Sequence, residues 1–173
     1  LDMLKVAHIL KGKTVHPDVS LSIAPGSKQV LNMLAKNGAL SILIEAGARI
    51  LESACGPCIG MGQSPNSKGI SLRTFNRNFE GRSGTKDGQI YLVSPEMAAA
   101  SAITGILTDP RDLGGMPEFK LPEVFEINDN MIVPPADKKD MDSVEILRGP
   151  NIKPFPETAP LLETIGAGCS LKV

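Results

Sequence analysis

Tryptophan is missing from this sequence, tyrosine occurs once, at Tyr91, and aromatic residues make up only 3% of the chain. A core without large rings must be built from Val, Ile, Leu, Met and Ala. With 42% apolar residues in a chain of 173, there are enough of them for one domain and an extension. Charge is balanced at −1, which offers no basic surface to nucleic acid. No run of about 18 apolar residues exists, so no membrane span is expected. No signal peptide is recognisable, and the expected compartment is the cytoplasm. The chain opens on Leu1 rather than Met and stops in mid-pattern at Leu171-Lys-Val, which suggests a piece of something longer. Three cysteines do not make a disulfide framework in a chain of this size. The two histidines, His8 and His16, read as surface or packing residues rather than ligands.

What is present alternates in character. Leu1 to Pro17 is mixed and suggests no single element. Val19 to Ala24 alternates aliphatic residues with Ser, the period of a strand. Pro25-Gly26-Ser27 ends it and offers Ser27 as a helix N-cap. An amphipathic helix is expected over Lys28 to Asn37, closed by Gly38, and a second over Ala39 to Ala46, ended by Gly47. Arg49 to Ala54 reads as an extended run that delivers the chain to Cys55. Ile70 to Phe75 is a third strand candidate leading to Asn76 and Arg77, and Ile90 to Val93 a short buried strand. Ser94-Pro95-Glu96 is a helix start, with an N-cap, Pro in the first turn and an acid beside it, and the helix is expected to reach about Gly105. Strand, helix and strand at this spacing indicate an α/β layer fold. From Gly114 the composition changes: eight of the 14 prolines lie between Pro117 and Pro160. Val144 to Leu147 could make an edge strand there, and the rest reads as a linker or strap.

Chemistry concentrates between Ser53 and Arg82. Cys55-Gly-Pro-Cys58 places two thiols in a Cys-x-x-Cys pair. Zinc needs four ligands, and only Cys169, read as an incidental thiol in the tail, remains. A redox disulfide is a second reading, since Cys-Gly-Pro-Cys also occurs in thioredoxin-like proteins, although the usual Trp is lacking. An iron–sulfur cluster is a third: thiolate pairs supply two ligands, and Gly56, Gly60 and Gly62 would let the backbone approach the sulfides. A buried turn with unreactive thiols is the structural alternative. Downstream, Arg77 and Arg82 flank Asn78 to Gly81 and can converge on a carboxylate if the segment turns, with Asn76 and Asn78 adding neutral hydrogen-bonding groups. Two arginines on their own are more often solvated surface.

Ala-Cys-Gly-Pro-Cys-Ile-Gly, then Phe-Asn-Arg-Asn-Phe-Glu-Gly-Arg, then Leu-Val-Ser-Pro-Glu occur in that order, and together they strongly resemble the aconitase family. The resemblance runs from about Pro25 to Leu113. The family includes aconitate hydratase, the 3-isopropylmalate dehydratase large subunit and homoaconitase. Arg148-Gly-Pro-Asn-Ile-Lys-Pro looks like the linker to the swivelling domain of single-chain members. The resemblance implies a three-layer α/β/α domain with a mostly parallel sheet over 1–113, and a Pro-rich linker over 114–173 reaching toward a C-terminal domain. It implies a 4Fe-4S cluster ligated by Cys55 and Cys58, with Asn76 beside it and Arg77 and Arg82 binding substrate. The third cysteine ligand lies N-terminal to the pair in the family, and none of residues 1–54 is Cys. The base serine also belongs to another domain. The implied activity is that of an aconitate hydratase, interconverting citrate and isocitrate through cis-aconitate; isopropylmalate dehydratase or homoaconitase is the alternative. The other domains of the parent would be its partners, and residues 1–173 alone would be inactive.

Overall fold

Ser27 and Ser94 do what their sequence context predicts. Each side chain accepts a hydrogen bond from the backbone N–H three residues on, at Val30 and Met97, and so satisfies a donor left open at a helix start. The computed structural model describes residues 1–115, 117–120, 123–125, 127–160, 163, 164 and 166. Cys169 and the terminal Leu171-Lys-Val lie outside them. The chain divides into two units, Leu1–Asp129 and Asn130–Val173.

The first unit runs α1 (Asp2–Leu10), β1 (Ser22–Ile23), α2 (Lys28–Lys36), α3 (Ala39–Glu45), β2 (Arg49–Ile50), β3 (Ile70–Arg73), β4 (Gln89–Leu92) and α4 (Pro95–Thr104), with 3-10 turns at Gly56–Ile59 and Pro110–Leu113. β1 pairs with β2 in parallel, Ser22 opposite Arg49, and α2 and α3 form the crossover between them. β3 pairs with β4 in parallel, from Ile70 opposite Gln89 to Arg73 opposite Leu92. A parallel pair needs a crossover of about a dozen residues or more, usually a helix. Here the crossover from Thr74 to Gly88 contains no helix or strand and carries the whole arginine segment. The unit is therefore mixed α/β with short parallel strands. Among the described residues these form two separate pairs rather than one broad sheet.

Most of the expected elements are present, several of them shorter; the Ile90–Val93 run pairs over Gln89–Leu92 and is not a buried strand, because Ile90 alone turns inward while Tyr91 and Leu92 are exposed. The Val19–Ala24 and Arg49–Ala54 runs pair over two residues each, because Pro25 follows one and the chain bends toward Cys55 after the other. Val144–Leu147 is exposed and forms no strand, since its apolar residues meet no partner face. Around it the second unit carries a 3-10 turn at Met141–Ser143.

The element that sequence reading misses is α1. It lacks any N-cap signal, and Leu1 makes no capping bond. Its signal is the spacing of Met3, Val6, Ala7 and Leu10, which share one helical face. That face enters the core with Leu34, Leu43, Ala46 and Ala99, and Leu10 and Leu43 are fully buried. α4 presents Ala99, Ala100 and Ala102 as buried small residues, so α1 can lie close against it. His16 packs its ring against Gly105, where a Cβ would come within 2.8 Å, and its Nδ1 accepts from the Asp18 amide. His8 meets the Phe119 ring edge-on at 6.1 Å. His16 is thus a packing residue at the end of α4, while His8 is exposed at the surface. No helix among the described residues is long and apolar enough to cross a membrane.

One charged contact pins the two ends of this core. Lys5 Nζ donates to Glu96 Oε1 at 2.8 Å, linking α1 to α4. The Lys5 hydrogen bond, helped by the Glu96 backbone amide, holds the Glu96 carboxyl below the usual range against the opposing effect of burial. A depressed folded-state value means the contact stabilises above the unfolded carboxylate value of about 4.3 and is lost as pH falls through the lower folded value. The urea midpoint of Lys5→Met is therefore expected to trail wild type at neutral pH and to converge on it once pH has fallen through the lowered Glu96 value. A gap that stayed constant down to acid pH would assign the loss to packing by the lysine stem instead.

Candidate active site

The cysteine pair sits on a turn rather than a helix. Cys55 caps the 3-10 turn Gly56–Ile59, whose first bond runs from the Cys58 amide to the Cys55 carbonyl at 3.2 Å. Gly60 ends the turn at φ +90°, a left-handed conformation that disfavours other residues. A Cβ there would also meet Ser64 Oγ at 2.8 Å and Ser83 Cβ at 2.9 Å, so the glycine lets two loops close on each other. Gln63 then anchors the loop to the β1–β2 pair. Its Oε1 accepts from Ser22 Oγ at 2.7 Å and from Arg49 Nη1 at 2.8 Å, and its Nε2 donates to the Ser20 carbonyl. The redox-dithiol alternative relies on an α-helix N-terminus to lower a thiol pKa, and this single 3-10 turn does not provide one.

The two thiols differ in setting. Cys55 is exposed, while Cys58 is only 3% accessible, and both are free. Arg82 Nη2 donates to Cys58 Sγ at 3.5 Å. That contact lowers the Cys58 thiol pKa against the opposing effect of burial, with smaller contributions from Cys55 and from the Arg77 charge. The Arg82 side chain lies over the Phe79 ring, its guanidinium carbon 5.8 Å from the centroid. Its Nε is buried without a hydrogen-bond partner, as is Ser53 Oγ. The crossover thus brings Arg82 to the thiols. Arg77 and Asn76 stand exposed, with no hydrogen bond to a described residue. Asn78 turns inward to donate to the Phe75 carbonyl and shapes the loop. Gly81 lets the loop fold back at φ +69°, where a Cβ would meet the Lys86 carbonyl oxygen at 2.9 Å.

Sequence reading missed Arg73. It is 6% accessible, at the end of β3. Its Nε donates to Ser71 Oγ at 3.0 Å, and its Nη1 to the carbonyls of Cys58 at 3.2 Å and Pro57 at 3.4 Å. Its Nη2 donates to Ser83 Oγ. Burial lowers its pKa, the neighbouring Cys58 raises it, and Arg82 lowers it. Nothing in the sequence marks it: β3 alternates Ile70 and Leu72 with Ser71 and Arg73, so Arg73 falls on the polar face that alternation assigns to solvent.

Soft thiols on a glycine-bounded turn, with guanidinium groups against the buried one, suit an anionic iron–sulfur cluster. Cys55 and Cys58 fit two of its ligand positions. Among the described residues no three Cys, His, Asp or Glu side chains converge as a metal site, so they complete no such site by themselves.

A mixed α/β unit gathers a thiol pair and arginines on the loops around two parallel strand pairs. The model of the aconitase family (aconitate hydratase) matches residues 1–105, and the chain belongs to that family. It is 46% identical over 113 residues to the homoaconitase large subunit of Thermus thermophilus, covering 65% of this chain and 27% of that protein. It is 45% identical over 111 residues to 3-isopropylmalate dehydratase large subunit 1 of Methanopyrus kandleri, covering 64% and 27%. Mitochondrial homoaconitase of Candida parapsilosis is 40% identical over 126 residues, covering 72% of this chain and 18% of the relative. The chain thus spans about a quarter or less of the curated relatives it matches.

Proposed function

We propose that this chain forms the cluster-bearing wall of a hydro-lyase that removes and re-adds water on a 2-hydroxy polycarboxylic acid. The contact between Arg82 and the buried Cys58 carries the proposal, because it joins the two halves of the motif in one place. Cys55 and Cys58 would hold two positions of a 4Fe-4S cluster, and the third cysteine would come from outside residues 1–173. When bound, the cluster supplies an open iron that acts as a Lewis acid on the substrate hydroxyl. Arg77, exposed, would take a substrate carboxylate in a forked pair. Arg82 would hold the Cys58 sulfur as thiolate and offer its unpartnered Nε to a second acceptor. Asn76 would line the cluster edge. The general base is expected on a serine of another domain, with residues 114–173 as the linker toward it and the three-layer sheet of 1–113 completed within the parent, in a reducing compartment such as the cytoplasm.

The relatives' names favour homoaconitate or isopropylmalate as the substrate class over citrate. The citrate reading keeps the support of the Arg148–Pro154 stretch, which resembles the linker of single-chain members. The test is to assay the complete protein, loaded with iron and sulfide, against isopropylmalate, homoaconitate and cis-aconitate. Turnover of one of the first two is expected, together with none by residues 1–173 alone. Turnover of cis-aconitate alone would restore the citrate reading, and no turnover of any would sink the proposal.

A further inference from the structure

Arg73 has no place in the reaction just described, yet it is the most deeply placed cation of the site. A buried guanidinium is costly unless its donors are satisfied. No carboxylate pairs with Arg73 among the described residues, and its donors go to two carbonyls and two hydroxyls. Those acceptors belong to three stretches. Pro57 and Cys58 lie on the thiol-bearing turn, Ser83 directly follows Arg82, and Ser71 lies on β3. The turn has no strand pairing of its own, so these bonds tie it to β3 from beneath. The same guanidinium holds the Ser83 hydroxyl, on the residue next to Arg82.

We propose that Arg73 is a positioning residue. By bridging the Pro57 and Cys58 carbonyls to Ser83 Oγ, it sets the depth of Cys58 and its spacing from Arg82, and so aims the buried thiol at its ligand position. That last consequence rests on the proposed ligand role of Cys58; the clamp itself does not. Arginine is required because one planar fork spans three acceptors, which a lysine ammonium reaches only in part.

The test uses the complete protein stripped of metal, treated with iodoacetamide and analysed by mass spectrometry for the ratio of Cys58 to Cys55 labelling. Arg73→Met is expected to raise that ratio about tenfold and Arg73→Lys by less, since a hydrogen bond to a charged group contributes about that factor or more. Ser83→Ala removes one arm and is expected to raise it about threefold. An unchanged ratio in an Arg73→Met protein that melts near the wild-type temperature overturns the proposal. If Arg73→Met does not fold, Ser83→Ala decides, and an unchanged ratio there overturns it equally. A wild-type protein that never takes up a cluster would refute the ligand role instead, and the labelling ratio would still test the clamp. In a loaded enzyme, Arg73→Lys should also lose its cluster absorbance to a chelator faster than wild type.

Discussion

Arg82→Ala in the complete enzyme is expected to lower kcat/KM by about a hundredfold or more, the scale of losing a charged, desolvated contact at a positioned site. The loss has two sources. Cys58 Sγ gives up its hydrogen-bond donor and the cation that lowers its pKa. The buried Nε disappears with it, and any acceptor it serves in the complete enzyme is stranded. Arg82→Lys keeps the charge but not the fork and should recover only part of the rate. Measuring kcat/KM beside cluster content separates the two sources: lost cluster points to Cys58, and retained cluster with a raised KM points to substrate. A variant within about threefold of wild type on both counts would show that Arg82 serves neither.

Leu43→Ala is expected to have the largest effect on stability. Leu43 has no exposed surface and sits on α3 in the buried cluster with Leu10, Leu34 and Ala46. Deleting a fully buried leucine side chain costs about 3 kcal/mol, through lost transfer energy and the cavity left behind. Against a total of about 5–15 kcal/mol, that is a large fraction. Urea unfolding should show a lower midpoint with an unchanged slope. A loss under about 1 kcal/mol would mean that α1 does not close over α3 as described.

Much of this was legible because local chemistry agreed with the final structure. Ser27, Gly38, Ser94 and Gly105 mark helix ends by capping and left-handed geometry, which act within one turn of the chain. Cys55, Cys58 and Arg82 were legible as a motif, and the structure adds that Arg82 touches the sulfur. α1 was hidden because packing against α3 and α4 stabilises it, and its own ends carry no cap. Arg73 was hidden for a related reason. A cation in a strand reads as solvent-facing until its partners are known, and those partners are mostly backbone carbonyls and hydroxyls that carry no sequence signature of their own. The two-residue strands fell short of their expected lengths because alternation specifies a face, whereas pairing length depends on neighbours elsewhere in the chain.

The arginine bonds that frame the thiols join residues near one another in sequence. Arg73 reaches 16 residues back to Pro57 and 10 forward to Ser83, and Arg82 reaches 24 back to Cys58. The core closes over a far longer span, with Lys5 and Glu96 separated by 91 residues. Loop-closure entropy rises with the length of chain enclosed, so the short closures are the less costly ones. The thiol-bearing corner can thus assemble before the first helix has found the last, and it presents its thiols while the hydrophobic body is still forming.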